Sequence, residues 1–80
     1  MARNLSDIAK DIRSNWKNVF YGAEPYLQAM EHIHSPEPYA PYLFEDAQTQ
    51  VMYFLANAQC WRGETARTIK KELKKQYNLK

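Results

Sequence analysis

The chain alternates between runs whose apolar residues recur every three or four positions and runs where that period breaks. The first periodic run is LSDIAKDIRSNWKNVF, residues 5–20. At about 100° per residue, Leu5, Ile8, Ala9, Ile12, Trp16 and Val19 fall on one stripe, which predicts an amphipathic helix. Ser6 is placed as its N-cap, Asp7 in the first turn where the helix dipole favours an anion, and Gly22 as the residue that ends it. The second run is AEPYLQAMEHIHS, residues 23–35. Pro25 suits a first helical turn, where its missing N–H costs nothing, and Tyr26, Leu27, Met30 and Ile33 form a broad apolar arc.

The period breaks at SPEPYAPYL, residues 35–43, which holds Pro36, Pro38 and Pro41. Proline restricts its own backbone and that of the residue before it, so this stretch is expected to be an extended connector. It is either a spacer between helices or a binding loop that presents Tyr39 and Tyr42.

The third run, FEDAQTQVMYFLANAQCW, spans residues 44–61. Phe44, Ala47, Val51, Phe54, Leu55 and Ala58 make one tight stripe, and Met52, Tyr53, Ala56 and Cys60 make a weaker apolar patch on the opposite side. No charged residue occurs from Ala47 to Trp61. A helix apolar nearly all round is normally buried, so this one is expected at the centre of the fold. Three further helices are few to cover it, and the second patch is a candidate interface with a partner or another copy of the chain. The last run is TARTIKKELKKQYNLK, residues 65–80, with Ala66, Ile69, Leu73 and Tyr77 on a narrow stripe. Together the runs predict an all-α fold: a single small four-helix domain over residues 1–80, with an apolar central third helix and a basic C-terminal helix.

Composition narrows this picture. A hydrophobic fraction of 45% with 25% charged residues excludes disorder. The aromatic residues, 14% of the chain, lie mostly between Trp16 and Trp61 and are expected to fill a core that is small at this length. The one cysteine, Cys60, rules out an intrachain disulfide framework and suits a reducing compartment. MARNLSDIAKDIR has no apolar signal-peptide core, and no run approaches the roughly 18 apolar residues of a membrane span. The expectation is a cytoplasmic protein without a membrane partner.

Charge is placed unevenly. Residues 1–61 carry four basic and seven acidic side chains, a balance of −3, and residues 62–80 carry seven basic and two acidic, a balance of +5. On the last helix Arg67, Lys70, Lys71, Lys74 and Lys75 share one flank, opposite Thr68, Glu72 and Gln76. Like charges four apart, as in Arg67 and Lys71, each cost about 0.2–0.5 kcal/mol, offset in part by the helix dipole. The flank is therefore either a solvated, dipole-friendly face or, together with Arg62, a binding surface for an anion, whether nucleic acid or the acidic face of a protein. CWRGET looks like a short turn between the last two helices, with Gly63 in a left-handed position. A short turn before a basic helix is weakly like a helix-turn-helix reader, but the preceding helix is too long, and few side chains near the start of the last one suit base readout. Trp61 is read as a packing residue.

Other chemistry is sparse. Glu31, His32 and His34 look like a metal cluster, but on a helix the two histidines point about 160° apart and cannot share an ion. His34 is instead expected to be a satisfied, partly buried histidine. Cys60 is read as a small buried hydrophobe rather than a nucleophile. Gly22 and Gly63 are too far apart for a phosphate-binding loop, and no carboxylate pair sits in an apolar setting. The expectation is a non-enzymatic protein with no catalytic residues, metal or cofactor.

Two stretches carry a resemblance: WKNVFYGAEPYLQAM near the start and YFLANAQCWRGETARTIKKEL near the end. Their pattern, WKNV, GA, PYL, AM, then YFL, NA, WRGETAR, IK and EL, resembles a group of small helical proteins encoded by phages, prophages and mobile elements of Gram-positive bacteria. It covers most of the chain, is most specific at WRGETAR and is weakest at PEPYAP. It brings no assigned chemistry and no functional residues. It implies a small accessory protein in a bacterial host cell. Three functions are compatible with these readings: first, binding another protein through the basic flank and exposed aromatics; second, binding nucleic acid through Arg62, Arg67, Lys70, Lys71, Lys74 and Lys75; third, self-association, possible as a homodimer, through Met52, Tyr53, Ala56 and Cys60.

Overall fold

The computed structural model describes residues 3–43 and 45–79. Four helices run in order, α1 (Leu5–Asn15), α2 (Glu24–Glu31), α3 (Ala47–Ala56) and α4 (Glu64–Gln76), with a two-residue hairpin, β1 (Pro41–Tyr42) and β2 (Glu45–Asp46), between α2 and α3. The fold is mostly helical, and the hairpin pairs antiparallel, Pro41 with Asp46 and Tyr42 with Glu45. α1 packs on α2 and α4, and α2 packs on α1 and α3. Phe44 lies outside the described residues.

The helical stripes become the core. Leu5, Ile8, Ala9 and Ile12 of α1, Leu27 and Met30 of α2, Ala47, Val51 and Phe54 of α3, and Ala66, Ile69 and Leu73 of α4 join one buried cluster with Tyr77. α3 is buried along one face only. Met52 and Tyr53 on its other side keep 46% and 40% of their surface, so α3 lies at the margin and the sequence-based placement at the centre is corrected. Absence of charge over Ala47–Trp61 signals an uncharged face, not a face covered by the chain itself.

Two helices end earlier than their apolar pattern. α1 stops at Asn15, whose Nδ2 donates to the Asp11 carbonyl at 2.8 Å, and Gly22 plays no part in ending it. α3 stops at Ala56, and Asn57 Nδ2 donates to the Tyr53 carbonyl at 2.9 Å. In both cases the asparagine side chain bonds the carbonyl four residues back, a local side-chain-to-backbone bond of the kind that competes with helix continuation. Past these ends, Trp16 stacks on Trp61 with ring centroids 5.4 Å apart and planes at 10°, and meets Phe54 edge-on at 6.1 Å.

The helix starts also differ from expectation. Asn4, not Ser6, is the N-cap of α1, and the chain leaving α2 satisfies its first amides: Leu5 N–H donates to the Ser35 carbonyl and Ser6 N–H to the Ile33 carbonyl. Pro25 does sit in the first turn of α2. α3 starts at Asp46, whose carboxylate accepts from the Thr49 N–H at 2.9 Å and the Thr49 hydroxyl at 2.8 Å. These hydrogen bonds hold the Asp46 carboxyl below its ordinary pKa. Asp46→Ala should therefore lower stability at neutral pH by about 1 kcal/mol, read from urea denaturation. A depressed carboxyl pKa stabilises the fold above the unfolded value and loses that contribution as pH falls through the folded one. The gap between wild type and Asp46→Ala should hold above about pH 5 and shrink on acidification.

Candidate functional site

α4 begins at Gly63, whose φ of 113° is closed to most side chains, and ends at Tyr77. Burial of Ala66, Ile69, Leu73 and Tyr77 against the core fixes the rotation of the helix, and that rotation turns Arg67, Lys71, Lys74 and Lys75 to solvent. Arg62, just before the helix, is also exposed. None of these five cations forms an ion pair with a described residue. Glu72, the acidic side chain in the middle of α4, is engaged elsewhere. Arg3 forms two hydrogen bonds to Glu72, at 2.8 and 2.9 Å, and one to Asp11 at 2.6 Å. Arg13 bridges Glu24 and Glu31. These bonds hold both guanidiniums more firmly protonated than usual, and Arg13 holds the Glu24 carboxyl below its ordinary range.

Lys70 does not belong with the other cations. Its Nζ donates to the Trp61 carbonyl at 2.6 Å and sits 5.9 Å from the centre of the Trp61 ring. Burial pushes its pKa down. Lys70 is a strut that ties the turn before α4 to the helix, and the sequence-based assignment of it to the binding flank is corrected. Trp61 is buried and stacked, as its packing role requires. The turn itself is longer than expected: because α3 stops at Ala56, residues 57–63 separate it from α4. Gly63 starts α4 rather than ending α3, and the short turn of a helix-turn-helix is not present.

The Pro-rich connector meets the C-terminal end of α4. Gln76 Nε2 donates to the Pro36 carbonyl at 3.4 Å, Gln48 N–H donates to the Pro38 carbonyl at 2.7 Å, and Gln48 Nε2 donates to the Tyr77 carbonyl at 2.8 Å. These bonds place residues 36–38 of the connector beside Gln76 and Tyr77 at the C-terminal end of α4. Of its two tyrosines, Tyr39 is 69% exposed, while Tyr42 is half-buried in the hairpin against the core. Leu43, which sequence reasoning missed, is 83% exposed and has φ of 57°. A leucine in the left-handed region costs on the order of 1–2 kcal/mol, and solvent exposure returns none of it. Nothing in the pattern of apolar residues marks Leu43, because a lone leucine beside a turn reads as core.

A second exposed surface lies on α3. Met52, Tyr53, Ala56 and Cys60 are all exposed. Cys60 is exposed, which corrects its reading as a small buried hydrophobe and agrees with its place in the outward patch. Phe20 joins this surface, lining a concavity of about 330 Å³ with Ala56, Asn57, Gln59 and Cys60. A polar groove of about 300 Å³ between α1 and α4, lined by Arg3, Asp11, Glu64, Thr68 and Glu72 among others, is crossed by the ion pairs of Arg3. The histidines stay apart: His32 Nδ1 contacts the Gln28 carbonyl at 2.8 Å and His34 Nδ1 contacts Ser6 Oγ at 3.0 Å. His34 is exposed rather than partly buried, since it lies beyond α2 and only its ring nitrogen reaches α1. No group of three or more His, Cys, Asp or Glu side chains among the described residues is placed to hold a metal ion. No helix among them is long and apolar enough to cross a membrane. The chain matches no known family model, no curated protein and no solved structure.

The division of the lysines has a direct thermodynamic reading. Lys70→Ala removes the donor from the Trp61 carbonyl and should lower stability by about 1 kcal/mol. Lys71→Ala and Lys74→Ala touch no described partner and should stay within about 0.5 kcal/mol of wild type. Thermal melts of the three variants at one salt concentration make the comparison.

Proposed function

We propose that this chain is a non-enzymatic accessory protein of a phage or mobile element that binds a host or phage protein in the bacterial cytoplasm. Its contact surface is the cationic flank of α4, with Arg67, Lys71, Lys74 and Lys75, extended by Tyr39 and Leu43 of the connector. One observation carries the reading: the connector that exposes Tyr39 and Leu43 is tied, directly through Pro36 and by way of Gln48, to the end of α4 that exposes Lys74 and Lys75. Apolar anchors beside charged groups match the anatomy of protein interfaces, where a few aromatic and aliphatic residues supply affinity and surrounding charges supply steering and specificity. The resemblance to small proteins of phages, prophages and mobile elements supports the setting.

A phosphate-binding role makes a different demand. It needs the cations and not Leu43, and its affinity falls with salt at a log–log slope of about −0.9 for each phosphate contact. The discriminating experiment is affinity capture from bacterial lysate, with and without nuclease, using wild type, Lys71→Glu/Lys74→Glu and Leu43→Asn. Asparagine suits the left-handed backbone and removes the apolar anchor. A protein partner should survive nuclease and be lost with both variants. Capture that disappears with nuclease and is indifferent to Leu43→Asn, together with direct binding of labelled DNA or RNA at 50 mM but not 200 mM salt, would replace this reading with nucleic-acid binding.

A further inference from the structure

We infer that the uncharged face of α3 is a self-association surface whose occupant is the same face of a second copy. The face is built from the outer side of α3 and the loop after α1. Met52, Tyr53 and Ala56 follow one another along the outer side of the helix. At its C-terminal end the Phe20 ring packs over Gly22, so closely that a Cβ built on Gly22 would lie 2.6 Å from Phe20 Cε2. Tyr21 stands beside Phe20, with ring centroids 4.7 Å apart, and is 84% exposed. It is the most exposed large hydrophobic residue described, and the concavity lined by Phe20, Ala56 and Cys60 opens next to it.

Two properties of this face select a second copy over other occupants. First, a two-fold interface requires that each patch carry both halves of its own complement. An exposed ring and a shallow hollow are neighbours here, so a rotation about an axis between them seats each copy's Tyr21 in the other's hollow. Second, the face has no charged side chain: none occurs from Asn18 to Ala23 or from Ala47 to Trp61. An acidic or basic partner finds nothing to pair with. Another copy brings a face that is neutral in the same way, while the cations of α4 remain free for the interface proposed above. Gln59 and Asn57 supply amide groups at the edge, which suits the polar rim of an interface.

The size of the face sets the strength. A standard stable interface takes roughly 800 Å² from each partner, which is about 15% of the 5290 Å² surface of this chain. A patch built on one ten-residue helix and a loop supplies less than that, so association should be weak, in the range of about 10–1000 µM.

The test is analytical ultracentrifugation of the full chain from 10 µM to 1 mM, in reducing agent so that Cys60 oxidation cannot imitate association, at 50 and 500 mM salt. The expected result is a monomer–dimer equilibrium that the higher salt does not weaken. Tyr21→Glu and Ala56→Glu should each shift it at least tenfold toward monomer, because each places a charge against its own copy. Both positions are exposed, and circular dichroism melts verify that the variants fold. Lys71→Glu/Lys74→Glu should leave the equilibrium unchanged, which separates this surface from the α4 interface. A monomer throughout the range, open-ended assembly beyond a dimer, or a dimer that tolerates both glutamate variants would overturn the proposal. Loss of association at 500 mM salt or in the Lys71→Glu/Lys74→Glu variant would overturn it equally.

Discussion

The stack of Trp16 on Trp61 is the interaction on which the arrangement depends. Its two members come from the end of α1 and the start of the approach to α4, and Phe54 of α3 closes against Trp16 from the side. The end of α1, α3 and the stretch leading into α4 therefore meet at one aromatic contact. Large aromatic rings suit a core this small, because each buries a large area for the loss of only two side-chain torsions. The contact also fixes chain direction. Trp16 is the first residue past the end of α1, and Trp61 lies in the irregular stretch 57–63 that leads from α3 to α4. Lys70 reinforces the same point from above, by its bond to the Trp61 carbonyl and its position over the indole.

Where period alone decides, the fold was legible. The stripe Ala66, Ile69, Leu73 and Tyr77 predicted which side of α4 is buried, and the orientation of Arg67, Lys71, Lys74 and Lys75 followed from it. Pro25 in the first turn of α2 was legible for the same local reason. Helix ends were not. Apolar residues continue past Asn15 as Trp16 and Val19, and past Ala56 as Ala58 and Trp61, because those side chains still reach the core from an irregular backbone. Periodicity cannot separate a core residue on a helix from one that follows it. The local signal was present in Asn15 and Asn57, short amides able to take the carbonyl four residues back. Asp46 with Thr49 three residues on was likewise a readable start for α3.

The candidate surfaces divide along the same line. A cation on a periodic helix can be placed by angle, but whether it is free depends on contacts that angle does not give. Lys70 and Lys74 are one turn apart on the same flank, yet a carbonyl nine residues earlier in the chain draws Lys70 inward. Cys60, in the patch opposite the stripe, is at the surface although its residue type suggested a buried hydrophobe. Leu43 carries its information in a backbone angle and in exposure, neither of which a sequence displays.

The ion pairs explain why the surface is polarised. Arg3 and Arg13 between them engage Asp11, Glu24, Glu31 and Glu72, so that two guanidiniums hold four carboxylates. That is economical for fastening α1 to α2 and α4, since a guanidinium presents several donors to carboxylates at once. The exposed cations of α4 form no ion pair with a described residue, and they are spaced so that Arg67 repels Lys71 and Lys71 repels Lys75 across single turns. A small domain has little stability to spare. Repulsion along α4 and a leucine held at positive φ both draw on it, and neither contributes to the core. The connector brings these two costs to the same end of the molecule. Under the proposed function, a partner that supplied negative charge and apolar contact there would relieve the repulsion and bury the leucine, and binding would recover free energy that folding alone leaves unused.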